Sequence, residues 1–266
     1  MNTKQLRRRW GGKVNIVFNN EFYASDYASN GASVPGRMES IMQVLAQKGK
    51  YVIKSAHEAA EDDLLMAHTK VLIEVTRENP ALFKIASLAA GASIRAAELA
   101  YHDQPAFACV RPPGHHASRA STWDYCVFCN IGIALLKLKK KGLINSAFLI
   151  DFDAHTGDGT IDVLREWPEA IIFNPFADTN RDYVQAVENR LKEIEYVDIV
   201  AVSAGFDLGV NDLGRKLQTF DFYQIGYFLK QFTKRMGHQR RFAVLEGGYY
   251  LPDLGENVLA FCEGFR

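Results

Sequence analysis

An excess of charge of either sign is missing from this sequence: Lys plus Arg number 31 and Asp plus Glu 31 over 266 residues. Without a net field, neither nucleic acid nor a membrane surface is expected as a partner. Cysteine is scarce. The four, Cys109, Cys126, Cys129 and Cys262, lie in or beside apolar segments, which excludes a disulfide framework and fits buried, reduced thiols. Cys126-Val-Phe-Cys129 has no second pair to complete a zinc or redox motif and reads as packing. No apolar run reaches the ~20 residues of a membrane span, and the N-terminus lacks the apolar core of a signal peptide. The expectation is a cytoplasmic protein. Internal repeats, low-complexity tracts and dividing linkers are also missing.

What is present is an alternation of apolar strands and helical segments. Residues 1–12, with the run Arg7-Arg-Arg9, read as a basic, solvated tail, and 13–266 as one domain. Strands are expected at Lys13–Phe18, Tyr51–Ile53, Ala106–Val110, Ala147–Ile150, Ala170–Phe173, Val197–Val202 and Arg241–Leu245. Helices are expected over Pro35–Gln47, Glu58–Arg77, Ala81–Leu99, Asn130–Lys141, Ile161–Glu166, Asp182–Glu193 and Phe222–Met236, with a last one around Val258, Leu259 and Phe261. Asn19–Val34 is rich in Asn, Ser, Tyr and Gly and reads as a surface loop able to rim a site. This order predicts an α/β fold: a mostly parallel sheet with helices on both faces.

The chain is organised around Leu149-Ile-Asp-Phe-Asp-Ala-His-Thr-Gly-Asp-Gly-Thr160, where Asp151, Asp153, His155 and Asp158 follow an apolar strand directly. Residues two apart on a strand end face one way, so Asp153 and His155 can close on one ion. Asp158 alone could equally cap the next helix. The cluster as a whole demands a cation, because buried carboxylates are costly without one. Three other strands end in polar, Gly-containing loops carrying His115-His116, Asp207 and Gly247-Gly248-Tyr249. In a parallel sheet such loops meet at one edge. Asp153, His155 and Asp207 make a one-nitrogen, two-carboxylate set consistent with an open catalytic zinc site. Two carboxylates leave bound water less acidified, so a base would help, and His115 and His116 are both candidates, with Asp151 and Asp158 as partners. A Tyr hydroxyl beyond the Gly-Gly pair could donate to an oxyanion. Together these parts describe metal-assisted hydrolysis of a carbonyl compound.

Arg111-Pro-Pro-Gly-His-His-Ala117, Asp151-Phe-Asp-Ala-His155 with Gly157-Asp-Gly-Thr160, Ser203-Ala-Gly-Phe-Asp207 and Glu246-Gly-Gly-Tyr249 resemble the signatures of the zinc-dependent histone deacetylase and acetylpolyamine amidohydrolase superfamily. The likeness runs from about Pro35-Gly-Arg37 to the C-terminus, in the family's order. The resemblance implies the arginase-deacetylase fold with an eight-stranded sheet, and Zn2+ on Asp153, His155 and Asp207, a set that also suits Fe2+ or Co2+. It implies His116 as general base and acid, paired with Asp158, and His115 as an electrostatic partner, paired with Asp151. Tyr249 would polarise the acyl oxygen. A structural K+ is implied near Asp151, Asp153 and His155, and Arg37 matches an arginine near an internal channel. The implied substrates are small N-acylated amines or acyl-lysines.

Several positions depart from the family pattern. Thr156 replaces a second histidine that is not a required ligand. The family's Gly-Phe-Cys is Asp124-Tyr125-Cys126 here, so Tyr125 is expected as an aromatic wall and Asp124 as a charge near the entrance. Gly247 and Gly248 would flank the substrate. The long loop that usually follows the fifth strand is replaced by Asn174-Pro-Phe-Ala-Asp-Thr-Asn180, leaving Phe176 as the candidate second wall. Asn211-Asp-Leu-Gly214 is one residue short and lacks an evident acidic gatekeeper. A wider, shallower pocket follows. An arginase-like dimanganese hydrolase would need more carboxylate ligands than can be placed. A catalytically silent acyl-amine binding module is opposed by the intact His116, Tyr249 and ligand set.

Overall fold

In the computed structural model, which describes residues 13–47 and 51–266, the backbone is built on one parallel sheet. The basic tail expected over 1–12 lies outside the described residues. The strands are β1 (Asn15–Val17), β2 (Val52–Lys54), β3 (Ala106–Ala108), β4 (Ala147–Asp151), β5 (Ala170–Phe173), β6 (Ile199–Ala204) and β7 (Arg241–Leu245). They stand in the order β2-β1-β3-β7-β6-β4-β5, all neighbours parallel. The sheet has seven strands among the described residues, not the eight carried over with the resemblance. The seven are the seven apolar runs of the sequence: β5 and β7 keep their expected bounds, β1 and β3 are shorter, β4 runs one residue further, and β2 and β6 are shifted by one and two residues toward the C-terminus. The central β3, β4, β6 and β7 are buried along their whole length, whereas β2 and β5 at the edges are only partly covered. That is the pattern of a sheet with helices on both faces.

The helices are α1 (Arg37–Gln47), α2 (Glu61–Leu64), α3 (Lys70–Arg77), α4 (Pro80–Tyr101), α5 (Asn130–Lys140), α6 (Asp158–Leu164), α7 (Asn180–Glu193), α8 (Thr219–Arg235) and α9 (Leu251–Phe265). The Ala-rich α4 begins at Pro80 behind an Asn79 cap, whose Oδ1 accepts from the Leu82 N–H. Its small side chains let it lie close against the sheet. The single helix expected over Glu58–Arg77 is instead two, α2 and α3. Thr69 caps α3 with its side chain, and its own N–H donates to the Arg119 carbonyl rather than to a preceding turn.

Four strands contiguous in space, β3-β7-β6-β4, are the four whose C-terminal loops carry the candidate site. Strand alternation sorts their side chains. Phe152 and Phe206 turn into an aromatic cluster with Phe222 and Phe261, ring centroids 5.1–6.1 Å apart, while their neighbours Asp151, Asp153 and Asp207 turn to the other side. Truncating such a buried ring costs about 3–5 kcal/mol, so the floor of the site is also part of the core.

His68 joins α2–α3 to the rest. The Cys129 N–H donates to its Nε2 (2.9 Å), which leaves the ring proton on Nδ1 to donate to the Ser118 carbonyl at 2.9 Å. Burial holds its pKa down to about 4, from the ordinary 6.5 of an imidazole. Between those values the unfolded chain binds the proton and the folded chain does not, so stability is present at neutral pH and lost as pH falls. We expect His68 to remove about 2 kcal/mol of unfolding free energy between pH 7 and pH 5. Urea unfolding of wild type and His68→Gln across that range checks this: the variant should lose that part of the slope, and equal slopes would refute the assignment.

Candidate metal centre and catalytic site

The first turn after β4 brings Asp153 and His155 together, and the loop after β6 adds Asp207. One donor atom from each lies within 4.8 Å of the others. Asp153 accepts from the Gly247 N–H through Oδ2 (2.9 Å) and from the His155 N–H through Oδ1 (3.0 Å). Asp207 accepts from the Ala154 N–H through Oδ1 (3.0 Å), but its Oδ2 is buried with no hydrogen-bond partner. His155 Nδ1 stands 3.2 Å from Asp153 Oδ1 and 3.5 Å from Asp207 Oδ2. The electrostatics mark a missing positive charge. Burial and the nearby Asp153 charge push the Asp207 carboxyl up to about 7. The adjacent carboxylates of Asp153 and Asp207 raise His155 to about 10. Two carboxylates, an imidazole and an orphaned buried oxygen are a donor set that fits a divalent cation. Gly247 makes this approach possible: a Cβ there would stand 2.6 Å from Asp153 Oδ2 and 2.7 Å from Asp207 Cγ.

His115 and His116, from the loop after β3, have stacked rings (centroids 4.0 Å) and opposite surroundings. His115 Nδ1 is 3.0 Å from Asp151 Oδ2, and its Nε2 is 3.7 Å from Asp153 Oδ1. Burial alone would depress its pKa, but the two carboxylates override burial and hold it well above the ordinary value. His116 is also buried, with its Nδ1 2.6 Å from Asp158 Oδ1. Burial and the charge of His115 lower its pKa despite Asp158. Partial burial would raise the Asp158 carboxyl, but hydrogen bonds from His116 and Trp123 hold it below its ordinary value, so it accepts and Nδ1 carries the proton. The free Nε2 of His116 is buried with no partner. That nitrogen is an acceptor waiting for a proton.

Tyr249 follows Gly248, which sits at φ +125°, a backbone that L side chains rarely adopt. Arg37 is fully buried beneath this turn, donating to the carbonyls of Gly248 (2.9 Å) and Glu246. From the other side the Asp212 carboxylate accepts the N–H groups of Tyr249 (2.6 Å) and Tyr250 (2.7 Å). The segment 211–214 thus serves to anchor Tyr249. Burial raises the Tyr249 hydroxyl well above its ordinary pKa, which keeps it a donor. The Tyr125 ring meets the Tyr249 ring edge-on at 5.4 Å. A cavity of about 460 Å³, lined by Leu213, Arg215, Tyr249 and Tyr250 among others, opens beside them.

One expected substrate contact turns out differently. Phe176 is 85% exposed, with Lys216 Nζ 5.5 Å from its ring centre, and pairs with no aromatic ring among the described residues. With α7 starting at Asn180, the short loop leaves Phe176 in solvent, so it does not form the second wall. Asp124 stands at φ +52°, in the left-handed region. Its position needs a residue that tolerates this turn, as Asp does, and this backbone demand accounts for it where the family has Gly. Sequence reasoning passed over Glu246 and Trp123 as site residues. Glu246 is fully buried, accepts the Gly114 and His115 N–H groups (2.7 and 3.1 Å), and burial pushes it up to about 7. An acid directly after an apolar strand was the available signal. Trp123 donates its indole N–H to Asp158 Oδ2 at 2.9 Å and lies on His116, ring centroids 3.8 Å apart. Its signal was a Trp within a polar loop.

With this geometry in place, comparison with known proteins is informative. The pattern defining the histone deacetylase domain matches residues 74–183, which include His115, His116 and the Asp151–Asp158 cluster. Polyamine deacetylase HDAC10 of Homo sapiens is 28% identical over an alignment covering 84% of this chain and 43% of that protein. A probable deacetylase of Methanothermobacter thermautotrophicus is 28% identical, covering 77% and 76%. Histone deacetylase 14, chloroplastic, of Arabidopsis thaliana is 31% identical, covering 66% and 52%. The chain therefore spans less than half the length of the human relative. The crystal structure of the HDA15 HD domain superposes with a TM-score of 0.83 at 20% identity, covering 96% of this chain and 90% of that one, and so shares the fold. Among the described residues no helix is long and apolar enough to cross a membrane. The domain match, these relatives and the shared fold all support the reading of the four ordered motifs, that of the histone deacetylase superfamily.

Proposed function

We propose that this protein is a zinc-dependent amidohydrolase that removes acyl groups from small N-acylated amines or accessible acyl-lysines. The observation that carries the proposal is the pair of buried, unpartnered atoms, Asp207 Oδ2 and His116 Nε2, on either side of one cluster of donors. Asp153, His155 and Asp207 would hold the zinc, which supplies Lewis-acid polarisation of the acyl carbonyl and acidification of water. Fe2+ or Co2+ can occupy the same donors. A structural K+ beside Asp151, Asp153 and His155 would further offset the buried carboxylate charge.

The chain's own residues divide the remaining work. His116, oriented through Nδ1 by Asp158, takes the proton of the attacking water on Nε2 and returns it to the departing amine. His115, kept protonated between Asp151 and Asp153, depresses the His116 pKa, so that the base is neutral when needed. Tyr249, kept protonated by burial, donates to the acyl oxygen as charge develops there. Tyr125 and the rim at Gly31 flank the acyl amine. The arginase-like alternative would need a second metal. The other cluster of possible donors among the described residues, His115, Cys126 and Glu246, includes a thiol that burial keeps protonated.

Chelation should abolish turnover and lower the thermal midpoint, and one equivalent of zinc per chain should restore both. Asp207→Asn should weaken zinc binding by at least about 100-fold and remove the zinc-dependent rise in Tm, read by calorimetry. Full zinc affinity in that variant would refute the ligand set.

His116→Ala should lower kcat by at least about 100-fold with zinc retained. Tyr249→Phe should lower it by about 100- to 1,000-fold, the usual effect of losing one oxyanion donor. Either variant turning over at the wild-type rate removes that residue from the mechanism.

With Phe176 in solvent, it supplies no second aromatic wall to the rim. We expect kcat/KM for acetylputrescine, acetylspermidine and an acetyl-lysine peptide to fall within about 30-fold of one another. A thousandfold preference for the peptide, about 4 kcal/mol in transition-state binding, would overturn the small-amine reading.

A further inference from the structure

The segment Thr122–Cys126 is a tight turn held at both ends. Thr122 Oγ1 donates to the Cys126 carbonyl (2.6 Å), the Cys126 N–H donates to the Trp123 carbonyl (3.3 Å), and Cys126 Sγ accepts the His116 N–H (3.3 Å). Asp124, at φ +52°, separates the two aromatic residues of the turn. One ring, Tyr125, goes to Tyr249, and the other, Trp123, goes to His116. The same turn therefore meets both the oxyanion donor and the base.

The contacts of Trp123 are specific. Asp158 uses Oδ1 for His116 Nδ1 and Oδ2 for the indole N–H of Trp123, so both oxygens are fixed and the carboxylate cannot rotate without breaking one bond. The indole lies 3.8 Å from the His116 ring at 34°, and the His115 ring lies 4.0 Å from it at 40°. His116 is held between two rings and pinned at Nδ1, and only Nε2 is left without a partner. His116 is buried while Trp123 is 51% exposed, so the indole forms the solvent-side cover of the base. A close, tilted ring contact together with a hydrogen bond to a shared carboxylate is more than incidental packing, because it constrains both the plane and the rotation of the imidazole.

We infer that Trp123 is a positioning residue for the His116 base, acting through Asp158 by its indole N–H and through the imidazole by the ring that lies against it. The inference rests on the deacylase reading for its kinetic consequence, but not for its structural one. Trp123 acts on the proton-transfer step alone, since it belongs to neither the donor cluster nor the Tyr249 wall. Its loss therefore appears in kcat, with KM and zinc affinity unchanged.

Steady-state kinetics and 15N-edited NMR on the zinc-loaded full chain test this. Trp123→Phe keeps an aromatic ring without the N–H and should lower kcat about fivefold, the net scale of one ordinary hydrogen bond. Trp123→Ala removes both contacts and should lower kcat at least about 30-fold. Adding Trp123→Phe to Asp158→Asn should cost no more than Asp158→Asn alone, because both act through one carboxylate. Either single variant within twofold of wild type, losses shared equally by KM, or additive effects in the double variant would overturn the inference. If Trp123→Ala does not fold, the Phe variant and the cycle decide. If the wild-type protein hydrolyses none of the acyl amines, the deacylase reading falls and NMR judges the clamp. The indole N–H resonance lost in Trp123→Phe should move and exchange faster with solvent in Asp158→Asn. A resonance unchanged by Asp158→Asn refutes it.

Discussion

Uncompensated negative charge at the end of a sheet is the constraint to which the rest of this structure answers. Asp151, Asp153, Asp207 and Glu246 are all buried, on three adjacent strand ends, and burial pushes the last two up to about 7. Backbone N–H groups of Gly114, His115, Ala154, His155 and Gly247 are spent on these carboxylates, and the nearest buried cation is one imidazolium, His115. Hydrogen bonds alone do not offset so much charge in a low dielectric. The loops must pack tightly enough to converge on a cation, which accounts for glycine at 247 and for the phenylalanine floor beneath.

The two neighbouring histidines show how little sequence fixes chemical role by itself. His115 and His116 are the same residue in adjacent positions, yet one is held protonated by Asp151 and Asp153 and the other is kept neutral by burial and by its neighbour's charge. The division of labour between electrostatic partner and base is a property of what each ring faces. Asp151, Asp153 and Asp158, three carboxylates of one eight-residue stretch, meet the two rings differently and supply the difference.

Much of this was legible in the residues. Each apolar run became a strand because its centre is continuously apolar, with charge confined to its ends as at Lys13, Asp198 and Arg241, and the motif loops followed them as a parallel sheet requires. The spatial order β3-β7-β6-β4 was not legible, since pairing between strands more than a hundred residues apart is set by packing of the whole. The eighth strand was inherited from the resemblance rather than from any run in this chain. The break at Thr69 was hidden because the segment around it keeps helical spacing, while its cap and the His68 bonds depend on a loop fifty residues away. The resemblance placed Asp124, Tyr125 and Phe176 near the mouth but could not show which way a left-handed turn aims its neighbours. Trp123 went unnoticed for that reason.

The rim of the site is nailed down by the motif that carries the base. Arg111 is buried, and its guanidinium donates to the carbonyls of Tyr23 (2.8 Å), Ala24 and Val34 (3.0 Å), both ends of the Asn19–Val34 loop. At the loop's tip a Cβ on Gly31 would stand 3.1 Å from Tyr125 Cε2 and 3.3 Å from Tyr249 Cδ1. Opening this loop would strand a buried guanidinium, and enlarging its tip would drive two tyrosines apart. The mouth is therefore a fixed gauge rather than a gate: its width is set where the rings of Tyr125 and Tyr249 meet residue 31, and a single methyl group there would change it without moving the residues beneath.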